Sequence, residues 1–198
     1  MFRILGFFIL TFVAHARASA QPEPLVIEGQ TMGTTYRIVY FDEPQRRNLK
    51  SSIDSLLSQV NRSINTYDPT SDISQFNLSE RGICPTSNHL PDILGRAKKI
   101  YRASDGTFDP TVMPLVNAWG FGPHEPTTPT VETVDSLKRL VGFDKLRFSK
   151  KTIRKKNAGL QLDMGGIGQG YGADMMFLFL KSKGIQHMLV QLGSEGIA

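Results

Sequence analysis

The run Asp163-Met164-Gly165-Gly166-Ile167-Gly168-Gln169-Gly170-Tyr171-Gly172-Ala173-Asp174 holds the densest set of residues that could do chemistry. It lies between a strand-like segment, Leu160–Asp163, and an apolar helical segment, Ala173–Leu180. Glycines remove side chains there, so backbone N–H groups and a helix start can approach an anion such as a phosphate. A phosphate-binding P-loop is excluded, because no Lys-Ser or Lys-Thr follows the glycines. Gly168-x-Gly170-x-x-Ala173 overlaps a dinucleotide fingerprint, yet the preceding strand belongs to an antiparallel pattern and only Glu195 is available as the acidic partner. Tight packing of a buried helix on a sheet is the plain alternative. Asp163 ends the strand, where its carboxylate either caps the helix or accepts hydrogen bonds from a ligand's ring nitrogens. Asp109, in Asp105-Gly106-Thr107-Phe108-Asp109-Pro110-Thr111, offers the same choice between turn former and binding loop. Tyr67, in a polar loop, either stacks on a ligand or covers the edge of the core. Met32 reads as a turn or core residue, and Trp119 as a core filler with its N–H bonded nearby.

Other chemistries find little support. His15, His89, His124 and His187 lack metal-ligand spacing, and Gly193-Ser194 is not a nucleophile elbow. The single cysteine, Cys84, allows no intramolecular disulfide and no cysteine-based zinc site, and without an evident His or cationic partner it reads as inert.

The elements that must position these residues follow from periodicity. Leu25–Phe41 is β-prone and reads as two strands with a turn at Met32-Gly33. Asp42 and Pro44 signal a helix start, and Leu49, Ile53, Leu56, Leu57, Val60 and Ile64 repeat at helical spacing to about Asn65. A short helix is expected at Ile73–Phe76. A second long helix carries Leu90, Ile93, Leu94, Ala97, Ile100 and Tyr101, with Ser87 and Asn88 as cap candidates. Pro110 and Pro114 argue against an uninterrupted strand or helix over Val112–Val116. Pro123–Pro129 reads as a surface loop, followed by a helix bearing Val131, Val134, Leu137, Leu140 and Val141. Leu146–Phe148, Thr152–Lys155 and Leu160–Asp163 read as a meander with one buried face. The apolar helix Ala173–Leu180 and a strand at His187–Leu192 complete the pattern.

The chain has 198 residues, 40% hydrophobic and 21% charged, with net charge +5, which suits a globular domain and not a disordered or fibrous one. Met1-Phe2-Arg3, the apolar run Ile4–Ala14 and Ala18-Ser19-Ala20 match a signal peptide over residues 1–20 and are too short for a comfortable membrane span. Without Arg3 and Arg17 the excess falls to 21 basic over 18 acidic residues. The cluster Lys150, Lys151, Arg154, Lys155 and Lys156 reads as a solvated hairpin, since no aromatics interleave for base stacking, and no nucleic-acid partner is expected. The residues alone thus lead to an exported α+β domain with an anion site.

Four ordered blocks carry a resemblance. Thr31-Met32-Gly33-Thr34-Thr35-Tyr36, then Asn65-Thr66-Tyr67-Asp68-Pro69 through Phe76-Asn77, then Gly106-Thr107-Phe108-Asp109-Pro110-Thr111 with Trp119-Gly120-Phe121-Gly122, then Leu162-Asp163 through Gly172 resemble the FAD:protein FMN transferase (ApbE) family. The resemblance implies an α+β, T-fold-related architecture, a mixed or antiparallel sheet flanked by helices. It also implies a periplasmic, Mg²⁺-dependent enzyme that moves FMN from FAD to a Thr or Ser hydroxyl of a target protein, such as a membrane redox-complex subunit, releasing AMP. By position in those motifs, Met32, Tyr67, Thr107, Phe108, Asp109, Asp163 and Gln169 would bind FAD, and the Gly166 carbonyl would join the Mg²⁺ shell. No catalytic residue is assigned. Many relatives carry a charged residue where this chain has Gln169. They also continue well past this length, so residues 21–198 are expected to be the N-terminal portion of the transferase domain, short of the Asp and Thr side chains that would bind Mg²⁺. A noncatalytic FAD-binding protein and an unrelated nucleotide-dependent oxidoreductase are the alternatives.

Overall fold

Alternating apolar residues between Leu25 and Tyr40 fold as a hairpin in the computed structural model, which describes residues 23–123 and 128–198. Strands β1 (Leu25–Thr31) and β2 (Thr34–Tyr40) pair antiparallel, with Leu25 opposite Tyr40 and Thr31 opposite Thr34. Their turn places Met32 at φ 50° and Gly33 at φ 72°, so a non-glycine residue takes a left-handed conformation at the hairpin tip. Strand β6 (Met188–Leu192) pairs with β2, and β7 (Glu195–Ile197) with β6, giving the order β1-β2-β6-β7. The signal-peptide segment and His124 lie outside the described residues.

Two long helices cover this sheet. α1 (Lys50–Ile64) and α6 (Gly168–Ser182) bury Ile53, Leu57, Met176 and Leu180 against Ile27, Ile38, Val190 and Leu192. Each such side chain contributes roughly 1.5–3 kcal/mol on leaving water. The far ends of both helices reach a second core with α2 (Asp72–Leu78) and α3 (His89–Ala103), where Ile64, Phe76, Leu90, Leu94, Leu162 and Tyr171 are buried together. A small sheet, β3 (Gly82–Ile83), β4 (Leu146–Phe148) and β5 (Ile153–Lys155), in the order β3-β5-β4, borders that core. α4 (Met113–Ala118) and α5 (Val131–Lys138) complete the set.

Several expectations are corrected. α1 begins at Lys50 and not near Asp42, because the buried Asp42 carboxylate closes a loop instead: it accepts from the Arg47 backbone N–H and guanidinium at 2.6–2.8 Å. Leu160–Asp163 is not the third strand of a meander. β3 takes the place beside β5, and the segment makes only an isolated parallel bridge, Gln161 to Val112. Pro114 falls in the first turn of α4, where its missing N–H costs nothing, so a helix does form across the apolar stretch. α5 stops at Lys138, short of Leu140. α6 starts at Gly168, inside the glycine run and ahead of Ala173. Trp119, at the end of α4, is 56% exposed and fills no core. Within the basic hairpin Lys155 is buried, whereas Lys150, Lys151, Arg154 and Lys156 are exposed. Cys84 is a free, exposed thiol.

Candidate functional site

The start of α6 sets the site. Its N-cap, Ile167, has no side chain bonded to the first turn, so the amides of Gln169 and Gly170 lack intrahelical acceptors and leave the positive end of the helix dipole open. Asp163 therefore does not cap α6. Its Oδ1 accepts from the N–H of Gly165 at 3.1 Å, and its own N–H donates to the Pro110 carbonyl at 2.8 Å.

A cleft of about 690 Å³ opens here. Met32 and Gly33 of the hairpin tip, Asn61 and Ile64 of α1, and the Asn65–Tyr67 loop line it on one side. Met113, Val116, Phe121 and Gly122 line it on another, and Asp163, Met164, Gly165, Gly168 and Gln169 complete it. Tyr67 is 66% exposed, and its hydroxyl donates to the Phe121 carbonyl at 3.0 Å, joining the two rims. Phe121 is itself 78% exposed. The cleft thus combines apolar and aromatic rims, one carboxylate and uncapped helix amides. Such a lining suits a planar ring joined to a phosphate.

Four of the sequence-selected residues, Met32, Tyr67, Asp163 and Gln169, meet in this cleft. Thr107, Phe108 and Asp109 do not line it. Asp109 Oδ1 accepts from the N–H and hydroxyl of Thr111 at 2.8 and 2.7 Å, and Oδ2 from the N–H of Phe143 at 3.2 Å. Thr107 is exposed on the same loop. Phe108 approaches the glycine run: a Cβ on Gly166 would lie 3.2 Å from its ring, so Gly166 allows that close contact. Asn61, Thr66, Met113 and Phe121 were not singled out as site residues from sequence. Thr66 and Phe121 fall within the ordered motifs, but Asn61 is one polar residue among many on α1 and carries no signal.

A second cleft of about 410 Å³ shares Gly165 and Gln169 with the first and presents Arg96, Lys99, Asp174 and Glu195. Arg96 pairs with Asp174 and lies 5.1 Å from the centroid of the Tyr171 ring. His89 Nδ1 and the Tyr171 hydroxyl are 3.0 Å apart. Burial pushes the Tyr171 phenol up and the His89 imidazole down, which favours the neutral form of each.

Mg²⁺ finds a poor fit in these residues. Gly166 offers one neutral carbonyl, and among the described residues no three His, Cys, Asp or Glu side chains converge. A hard divalent cation needs several oxygen ligands, commonly including carboxylates.

Comparison with known proteins returns one family consistently. A family model described as the ApbE family matches residues 32–198. The FAD:protein FMN transferase of Vibrio cholerae is 33% identical over 180 residues, covering 87% of this chain and 54% of that protein. The protein of the same name from Haemophilus influenzae is 30% identical over 209 residues, covering 98% and 60%. Among solved structures, the flavin transferase ApbE from Vibrio cholerae superposes with a TM-score of 0.81 at 33% identity, covering 89% of this chain and 59% of that one. The apo form of Pseudomonas stutzeri flavinyl transferase ApbE gives 0.82 at 31% identity, covering 89% and 61%. The chain thus spans a little over half the length of the relatives it matches.

Proposed function

The chain belongs to the ApbE family, and from that membership we propose that it binds FAD as the donor in a transfer of FMN onto a Thr or Ser hydroxyl of a target protein. The observation that carries this reading is the convergence of Met32, Tyr67, Asp163 and Gln169 on one cleft beside the open start of α6. In the proposed reaction the acceptor hydroxyl gives up its proton to solvent and forms a new bond to the FMN phosphorus. The bond from that phosphorus to the bridging pyrophosphate oxygen breaks, and AMP leaves. Tyr67 and Met32 would pack on a ring of FAD, Asp163 would accept from ring or ribose donors, and the amide of Gln169 would face phosphate oxygens. Phe108 would support the glycine run, its ring lying against Gly166, while Asp109 holds the 105–111 loop through Thr111 and Phe143.

Mg²⁺ enters this proposal only through the family resemblance, with the Gly166 carbonyl as one ligand, and no step above depends on it. Export to the periplasm follows from the signal-peptide pattern, and a membrane redox-complex subunit is the proposed class of acceptor. A second reading, in which this chain binds FAD without transferring it, rests on the donors present at the site: Gly166 offers a neutral carbonyl, and Asp163 Oδ1 already accepts from the Gly165 N–H.

One assay separates the two. The purified chain is incubated with FAD, Mg²⁺ and a target protein, and flavin fluorescence that survives denaturing electrophoresis is sought on the target. Labelled target supports transfer. FAD binding without label supports the second reading, and no FAD binding removes both. Tyr67→Ala should weaken FAD binding about tenfold, given the worth of an aromatic contact; unchanged affinity would take Tyr67 out of the site.

A further inference from the structure

The two ends of α2 hold two walls of the larger cleft. At its start, the Ser71 and Ser74 hydroxyls donate to the Asn65 carbonyl at 2.6 and 3.3 Å, which ties down the loop that carries Tyr67. At its end, Asn77 Nδ2 donates to the Leu162 carbonyl at 2.9 Å, and the Leu162 N–H donates to Asn77 Oδ1 at 2.7 Å. One side-chain amide thus acts as the strand partner that Leu162 lacks. The next N–H along, that of Asp163, donates to Pro110. Leu162 is fully buried, so it has no water to substitute for Asn77. A helix of seven residues is about 10 Å long, a fixed spacer between the Tyr67 loop and Asp163.

We infer that Asn77 is a positioning residue for the ligand: its two-point clasp on Leu162 sets where the Asp163 carboxylate enters the cleft that Tyr67 borders. The inference rests on reading that cleft as a flavin site. Asn77→Asp tests it, because the variant keeps the size and one acceptor but turns an ionised oxygen toward the Leu162 carbonyl. FAD is titrated into the wild-type and variant chains by fluorescence quenching, with thermal unfolding followed in parallel. At pH 7.5 the variant should unfold cooperatively and bind FAD about tenfold more weakly, the scale of a lost buried hydrogen bond. Relative to wild type at each pH, its affinity should recover as the pH falls far enough to protonate the new carboxyl, which then donates as the amide did. The Lys155 ammonium, which donates to the Asn77 carbonyl at 3.4 Å, opposes that protonation and sets how low the pH must go. Asp42→Asn, which loosens the remote Arg47 loop, should lower the melting temperature and leave FAD affinity within about twofold. Should Asn77→Asp not fold, Asn77→Ser takes its place for the affinity comparison.

The inference is overturned if the Asn77 variant binds FAD as wild type does, or if Asp42→Asn at equal loss of stability weakens binding as much. A wild-type chain that binds no FAD would defeat the flavin reading instead. The clasp is then decided by hydrogen exchange at the Asp163 amide: faster in the Asn77 variant than in Asp42→Asn supports it, and equal rates overturn it.

Discussion

Asp109 and Asp163 begin turns of the same kind: each accepts, through Oδ1, the N–H two residues ahead, that of Thr111 or of Gly165. Beyond that bond they diverge. Asp109 also accepts the Thr111 hydroxyl and the N–H of Phe143, so its carboxylate joins the 105–111 loop to the start of the turn before β4. Asp163 sits at a cleft of about 690 Å³. Residue type and turn chemistry are shared, and what separates a scaffold carboxylate from a binding one is how many of its lone pairs the chain itself occupies. The segments that carry the two carboxylates meet directly, through the isolated parallel bridge of Val112 with Gln161 and the Asp163 N–H donating to the Pro110 carbonyl.

The comparison is most easily broken by removing each carboxylate. Asp109→Ala should cost about 3 kcal/mol of stability, because three donors lose their acceptor, whereas Asp163→Ala should cost under about 1 kcal/mol and instead lower FAD affinity. Urea unfolding and FAD titration of both variants provide the check, and equal stability losses would erase the distinction. A subtler effect comes from Lys155, whose amine donates to the carbonyls of Ala158 and Leu160 at 3.1 and 2.9 Å and lies over the Phe76 ring. Burial pushes it down from 10.5 to about 8. Between those values the unfolded chain holds a proton that the folded chain has lost, so this group makes stability rise with pH, and below about 8 folding bears the full cost of the buried charge. From pH 7.5 to 9.5 the stability of wild type should gain about 2 kcal/mol relative to Lys155→Met; parallel pH profiles would show the amine to be as well solvated as in the unfolded chain. The smallest effect is expected at Gly170. A Cβ there meets nothing within 4 Å, so Gly170→Ala should raise stability by about 0.5 kcal/mol, read as a higher melting temperature. A lower one would mean that this glycine serves the backbone and not only the opening at the helix start.

Local repetition made the hairpin, α1 and α3 readable, since the spacing of Ile53, Leu57, Val60 and Ile64, or of Leu90, Ile93, Leu94 and Ala97, records which face is buried. The ordered motifs likewise led to the cleft residues Met32, Tyr67, Asp163 and Gln169. What stayed hidden depends on single side chains acting over long separations. Asn77 bonds a residue 85 positions away, and that leaves no periodic trace. The Asp42–Pro44 helix signal failed because Arg47 captured the carboxylate first. β3, two residues long, is too short to show alternation. Lys155 looked like one more cation in a wet cluster, since burial of a lysine against carbonyls cannot be told from its neighbours in sequence.

α5 has no buried residue, and its start is capped by the Thr130 hydroxyl, which accepts the N–H of Thr133. Little of the core resists its opening, so its amides exchange with solvent by local fraying and not by global unfolding. Exchange there should report on the cap and on the half-buried Val134 and Leu137 beside α4, and should depend far less on denaturant than exchange of the core amides.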